Sequence, residues 1–267
     1  MVEIIDIHCH LTFKEYEADR ADVIEEAQAI LKGVVTSGVE PEDASKALEL
    51  AESYPDFIFV SLGLHPIHVV EKSDREISDY EEFISDNRAR IVGIGEIGLD
   101  YHWIRDPLKI KRTKEVFKEL LELAKELDLP VVLHLRGEGA IEEGLKFISD
   151  ADIRKAIFHC FTGKPQLAAE ICNENEGYHI SLPASISRSK TMKKVAKRIP
   201  LSSLHAETDA PYLSPEPDEQ HKRNVPQHVK VVYEEIARQK KSDFHSVENA
   251  IDANFERMFG VKLKLKR

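Results

Sequence analysis

Short apolar segments alternate with longer amphipathic segments along almost the whole chain of 267 residues. Most of the short segments are rich in Val and Ile and lack a strict polar alternation, which is typical of parallel strands covered on both faces. The longer segments repeat apolar residues at helical spacing. Eight such units in about 250 residues match the size of a (β/α)8 barrel. We therefore predict an α/β fold, a single TIM-type (β/α)8 barrel domain over residues 1–267 that ends in C-terminal helices.

The predicted strands and helices alternate strictly as far as residue 207. Strands are predicted at residues 2–7, 33–36, 57–62, 91–94, 131–135, 156–160, 178–182 and 204–207. Helices are predicted at residues 19–31, 41–53, 79–87, 107–127, 141–148, 165–173 and 189–198, with two more at 227–240 and 245–259 after a loop at 214–227. The alternative is a doubly wound open sheet, whose first strand is followed by a glycine-rich phosphate loop. His8-Cys9-His10 stands at that point, which favours the barrel.

Composition and charge limit the classes of function. The formal charge of -11 means that a polyanionic substrate would have to be held by a local cluster or by bound metal. Cys9, Cys160 and Cys172 are odd in number and lack CxxC spacing, which fits a reducing compartment. No signal peptide or membrane-spanning run is recognisable, so we expect a cytoplasmic protein without membrane contact. The oligomeric state stays open, with a monomer as the working expectation.

His8 and His10 follow the first predicted strand, and the alternation of side chains along a strand places both on the same side. Paired neutral imidazoles suit a divalent transition metal. A lone His-x-His pair, however, more often serves packing or lies on the surface. Whether His8 and His10 bind a metal therefore depends on which side chains the other strands place at the same end of the barrel.

The carboxyl ends of barrel strands build the active sites of barrel enzymes, and most strands here carry an imidazole or a carboxylate at that end. These residues are His8, His10, Glu96, His134, His159 and Asp209. Burying such groups without partners is costly, and metal coordination removes that cost. The convergence therefore predicts a metal centre.

Six ligands exceed the four that one tetrahedral ion takes, but they suit two ions about 3.5–4 Å apart that share a carboxylate. Glu96 lies across the barrel mouth from the first strand and is the natural bridge. The other ligands divide by strand neighbourhood: His8, His10 and Asp209 for one ion, and His134 with His159 for the other. The mixed ligands leave Zn, Mn, Co, Ni and Mg open. A hydroxide held by the ions would be the nucleophile, and Asp209 could accept the proton of that water.

Two further residues are expected to bind substrate at the mouth. His65 stands just before Pro66, and Arg136 lies two residues beyond His134 on the same side of its strand. We predict that both contact a substrate phosphate. The alternatives are loop packing for His65 and an ion pair with Glu138 for Arg136.

Other residues near the strand ends are assigned supporting roles. Glu207 is expected to support the site, and Arg223 and Asn224 to anchor the long loop. Residues 101–103 offer a stacking face for a base, although packing within the loop is preferred for Trp103. The basic run at 188–198 is typical of a solvated face, with guidance of a nucleic-acid backbone as the alternative.

The motifs together resemble the TatD family of metal-dependent deoxyribonucleases, within the amidohydrolase-like superfamily. The resemblance rests on Asp6-Ile7-His8-Cys9-His10, Gly63-Leu64-His65-Pro66, Gly95-Glu96-Ile97-Gly98-Leu99-Asp100-Tyr101, Val132-Leu133-His134, His159-Cys160-Phe161-Thr162-Gly163, Glu207-Thr208-Asp209-Ala210-Pro211-Tyr212-Leu213 and Arg223-Asn224-Val225-Pro226. It implies a metal-containing TIM-type barrel and the same six-residue ligand set. It also implies that DNA is the partner and that phosphodiester bonds are hydrolysed in a metal-dependent, 3′–5′ exonucleolytic reaction, with Asp209 and Glu96 as the catalytic residues.

Two rival functions remain at this stage. One is a hydrolase with the same metal centre that acts on an amide, an ester or a small phosphoester. The other is a non-catalytic module that binds nucleic acid or protein through the basic run.

Overall fold

The computed structural model describes residues 4–215 and 223–264. Its eight strands form one parallel sheet in which each strand pairs with the next along the chain. The strands are β1 (Ile4–Cys9), β2 (Leu31–Gly38), β3 (Ile58–Leu62), β4 (Gly93–Asp100), β5 (Val131–Arg136), β6 (Ala156–Phe158), β7 (Tyr178–Leu182) and β8 (Leu204–Ala206). The predicted (β/α)8 fold is confirmed. The start of the first predicted strand, part of the predicted loop at 214–227 and the last basic residues of the chain lie outside the described residues.

The barrel closes between β1 and the segment that follows β8. Cys9 forms a parallel bridge with Ala210. The amide of His10 donates to the carbonyl of Ala210 at 2.8 Å, and the amide of Asp209 donates to the carbonyl of His8 at 3.0 Å. These bonds bring the His-x-His pair next to Asp209, which is 199 residues away in the sequence.

Helices separate the strands and pack against the sheet. They are α1 (Arg20–Ile30), α2 (Pro41–Ser53), α3 (Pro66–Val69), α4 (Asp74–Asp86), α5 (Pro107–Glu126), α6 (Ala140–Asp150), α7 (Pro165–Glu174), α8 (Lys190–Arg198), α9 (Val229–Lys240) and α10 (Phe244–Phe259). Proline at the first position begins α2, α5 and α7, as expected of a residue that has no amide hydrogen to satisfy. In the described part of the chain, no helix is both long enough and apolar enough to cross a membrane.

Two predicted boundaries were wrong by several residues. The helix predicted at 79–87 is α4, which begins at Asp74 because Ser73 and Glu76 form a capping box. The strand predicted at 91–94 is β4, which continues to Asp100. Gly98 makes this extension possible: it has a φ of 145°, and a Cβ atom there would lie 2.1 Å from the carbonyl oxygen of His134. The close pairing of β4 with β5 places Glu96 within a strand.

The candidate metal centre

The structure brings all six predicted ligands together at the carboxyl end of the barrel. Each side chain lies within 4 Å of at least one other member of the set, which comprises His8, His10, Glu96, His134, His159 and Asp209. Most of these residues are buried, and the side chain of Asp209 is the most exposed of the carboxylates at 14%. Asp209 and His134 are therefore the members of the set that solvent reaches most, with side chains 14% and 15% exposed.

Glu96 lies at the middle of this group, and its two oxygens face different imidazoles. Oε2 lies 3.5 Å from Nε2 of His8 and 3.6 Å from Nε2 of His10. Oε1 lies 2.8 Å from Nδ1 of His134 and 3.4 Å from Nε2 of His159. Oε2 of Glu96 thus faces His8 and His10 and Oε1 faces His134 and His159, while Nε2 of His159 also lies 3.7 Å from Oδ1 of Asp209.

The spacing of the donor atoms fits a divalent ion. Nε2 of His8 lies 3.3 Å from Nε2 of His10, and Asp209 Oδ1 lies 3.4 Å from Nε2 of His10 and 3.8 Å from Nε2 of His8. Two donors at about 2.1 Å from one tetrahedral ion stand about 3.4 Å apart. Two buried imidazole nitrogens facing each other can share only one proton, whereas an ion can accept a lone pair from both. The residues present therefore fit a bound metal.

Glu207 fixes the orientation of the His159 ring. Its Oε2 lies 2.9 Å from Nδ1 of His159, and its Oε1 accepts a 2.7 Å hydrogen bond from the amide of Cys160. A proton held on Nδ1 leaves the lone pair on Nε2, the atom that faces the centre. The contacts agree with the predicted supporting role of Glu207.

Asp100 orients the ring of His134 in the way that Glu207 orients His159. This role of Asp100 was not predicted from the sequence. Its Oδ2 lies 3.1 Å from Nε2 of His134, and its Oδ1 accepts 2.9 Å hydrogen bonds from the amides of His102 and Trp103. One buried carboxylate therefore holds an imidazole of the centre and the turn after β4. The Gly-Leu-Asp sequence was noted only as a family motif, because the contact between β4 and β5 depends on their register.

Asp6 joins the two strand ends that carry His8 and Asp209. Its carboxyl group accepts hydrogen bonds from the amide of His8 and from the amide and hydroxyl of Thr208. Burial raises the pKa of Asp6 well above its ordinary value, although these bonds oppose the shift. This role was also missed, because a carboxyl group before a His-x-His pair has no distinctive spacing of its own.

The carboxylates of the centre are held in their ionised form. Burial alone would raise the pKa of Glu96, but His159 and the other surrounding histidines hold it well below its ordinary value. Burial likewise acts against ionisation of Asp209, and a hydrogen bond with His10 lowers its pKa. In the metal-free protein, burial works against protonation of His159, yet Glu207 and Glu96 raise its pKa to about 10. The site is one that attracts cations.

The predicted substrate-binding residues lie on the rim of the centre. Nε2 of His65 is 3.8 Å from Oε1 of Glu96, while its Nδ1 accepts a 3.2 Å hydrogen bond from the amide of Ile67. Arg136 is exposed, and its guanidinium lies 5.8 Å from the centroid of the Trp103 ring. Between the described residues, no ion pair links Arg136 to Glu138. Both side chains are placed where a substrate could reach them.

The preference for a packed Trp103 was wrong, because its side chain is 66% exposed. The loop before α9 is anchored as expected: Arg223 pairs with Asp19 at 2.6 Å, and the buried Asn224 side chain donates to the carbonyls of Thr208 and Tyr212. The basic run lies largely on the exposed face of α8.

Comparison with known proteins agrees with this geometry. The TatD related DNase family matches residues 5–260. An uncharacterized metal-dependent hydrolase of Methanocaldococcus jannaschii is 37% identical over 98% of this chain and 99% of its own length. The 3′-5′ ssDNA/RNA exonuclease TatD of Pectobacterium parmentieri is 28% identical over 96% of this chain and 99% of its own. The crystal structure of YjjV, a TatD homologue from Escherichia coli, superposes with a TM-score of 0.86 at 29% identity and covers 97% of this chain and 98% of that chain. The chain therefore belongs to the TatD family of metal-dependent hydrolases.

Proposed function

We propose that the protein is a dinuclear metal-dependent deoxyribonuclease that removes nucleotides from the 3′ end of single-stranded DNA. The observation that carries the proposal is the division of the imidazoles by Glu96, whose Oε2 faces His8 and His10 while its Oε1 faces His134 and His159. A carboxylate with one oxygen toward each ligand set is suited to bridge two ions. The names of the matched family and of the Pectobacterium relative support the choice of substrate and polarity.

The ligand set would hold one ion between His8, His10 and Asp209 and a second between His134 and His159, with Glu96 shared. The ions, for which Zn, Mn, Mg, Co and Ni remain candidates, would supply Lewis acidity and lower the pKa of bound water. Glu207 orients the ring of His159, and Asp100 orients the ring of His134. Each carboxylate does so through a hydrogen bond to the ring nitrogen that faces away from the centre.

Asp209 is suited to take up a proton during hydrolysis. Its pKa is held low, so it is ionised at neutral pH, and its side chain is more exposed than that of Glu96. His65 and Arg136 stand on the rim, where they would orient the phosphate through hydrogen bonds to its non-bridging oxygens. We assign proton transfer to Asp209 and phosphate positioning to the other two residues.

The test is a metal-supplemented assay on 5′-labelled single- and double-stranded oligonucleotides, with ester and amide substrates assayed in parallel. We expect a ladder of products shortened from the 3′ end of the single strand. Glu96→Ala must abolish the ladder, and Glu235→Gln, a change in α9, must leave it intact, which excludes a contaminating nuclease. Hydrolysis of esters or amides without cleavage of any oligonucleotide would overturn the proposed substrate.

A further inference from the structure

Trp103 is an exposed aromatic residue at the mouth of the barrel. Its side chain is 66% exposed, in the turn that directly follows β4. Exposing an indole to water is unfavourable, and the described residues leave most of this one uncovered. The catalytic roles assigned above do not use it.

The turn that carries Trp103 is fastened to the metal centre. Its amide donates a 2.9 Å hydrogen bond to Oδ1 of Asp100, and Oδ2 of the same carboxylate lies 3.1 Å from Nε2 of His134. Nδ1 of His134 lies 2.8 Å from Oε1 of Glu96. Two consecutive hydrogen bonds therefore connect the backbone amide of Trp103 to His134, whose Nδ1 faces the carboxylate at the middle of the centre. The turn that carries the indole thus has a fixed position relative to the centre.

A charged and an aromatic side chain lie next to the indole of Trp103. The Arg136 guanidinium lies 5.8 Å from the ring centroid, within the range of a cation–π contact. The ring of His102 meets the indole edge-on, with centroids 4.8 Å apart. Arg136 also brings positive charge to the mouth of a chain whose formal charge is -11. The indole can stack on a flat aromatic ring, and the guanidinium beside it can pair with a phosphate. A nucleotide carries both groups.

We propose that Trp103 is a stacking platform for a nucleobase of a single-stranded substrate, next to the nucleotide whose phosphodiester is hydrolysed. The inference rests on the proposed nuclease function and adds a base-binding subsite to it. Stacking on an aromatic side chain tolerates any base sequence, because every base has a π-face. Paired bases are already stacked within a duplex, so the platform favours single strands and frayed ends.

The chain contains one tryptophan, so its intrinsic fluorescence reports on this position alone. The metal-loaded protein is titrated with a phosphorothioate oligonucleotide that resists cleavage, and with an abasic oligonucleotide of the same length and charge. We expect the single strand to quench the Trp103 emission and the abasic strand to leave it nearly unchanged. Equal quenching by the two strands, or none by either, would overturn the proposal.

Variants separate stacking from folding and from catalysis. Trp103→Ala should weaken binding of the single strand about 5- to 150-fold, whereas Trp103→Phe should retain most of the affinity. Leu108→Ala, which removes another exposed apolar side chain near this turn, is the matched control and should bind normally. Absence of metal-dependent cleavage in the wild-type protein would reject the nuclease function itself. Normal cleavage together with unchanged binding by Trp103→Ala would reject the platform alone.

Discussion

Replacing Glu207 by Gln tests whether the orientation of His159 supports metal binding. In the structure, Oε1 of Glu207 accepts from the amide of Cys160 and Oε2 lies 2.9 Å from Nδ1 of His159. A glutamine keeps the size of the side chain but offers only one acceptor oxygen. If that oxygen faces Cys160, the amide NH2 group faces His159, and the imidazole must move its proton to Nε2. The lone pair that faces the centre is then lost.

The opposite orientation of the glutamine is also unfavourable. Its NH2 group would oppose the partly buried amide of Cys160, and leaving such a donor unsatisfied costs up to about 1–3 kcal/mol. Either way, we expect a 10- to 100-fold loss of metal affinity, which is about 1.4–2.7 kcal/mol and typical of lost support to a metal-bound histidine.

The affinity is measured by competition between the protein and a chromophoric chelator for Zn²⁺. Glu235→Gln is the matched control, because Glu235 is a buried glutamate whose contacts are with Lys193 and with Arg238 and Gln239 of α9. The control should bind Zn²⁺ like the wild type. An affinity of Glu207→Gln within twofold of the wild-type value would refute the reasoning about the His159 tautomer.

Three further predictions follow from the same geometry. Asp209→Asn should lower kcat about 10²- to 10⁴-fold while the circular dichroism spectrum stays native, and near-normal turnover would remove Asp209 from proton transfer. Arg136→Ala should raise KM for phosphodiester substrates roughly tenfold with a smaller change in kcat, and unchanged constants would reject the phosphate contact. Asn224→Ala should lower the free energy of unfolding in urea by about 1–3 kcal/mol, because it leaves the carbonyls of Thr208 and Tyr212 without their donor. An unchanged midpoint and slope of the urea transition would show that these bonds do not stabilise the loop.

The sequence predicted the architecture well, because eight apolar runs at regular intervals leave few alternatives to a barrel. The errors occurred where local signals conflict. Glycine-rich residues 95–98 fell outside the predicted strand, yet the pairing of Ile97 and Gly98 with β5 continues β4 through them. The start of α4 could have been found from the Ser73–Glu76 capping box.

The convergence of the six candidate ligands was predictable because their positions follow from strand order and from the alternation of side chains. The supporting groups were harder to predict. The dual contact of Asp100 with His134 and with the following turn depends on the register of β4 against β5, which no local pattern specifies. The exposure of Trp103 was misjudged because an indole is more often packed than exposed.

The central claim is that Glu96 joins two metal sites, and the metal content of the loaded protein tests it most directly. The protein is incubated with Zn²⁺ or Mn²⁺, and excess ions are removed. Elemental analysis by inductively coupled plasma mass spectrometry should then give two metal ions per wild-type chain. Glu96→Ala should hold clearly fewer. A wild-type chain that retains one ion or none under these conditions would contradict the account.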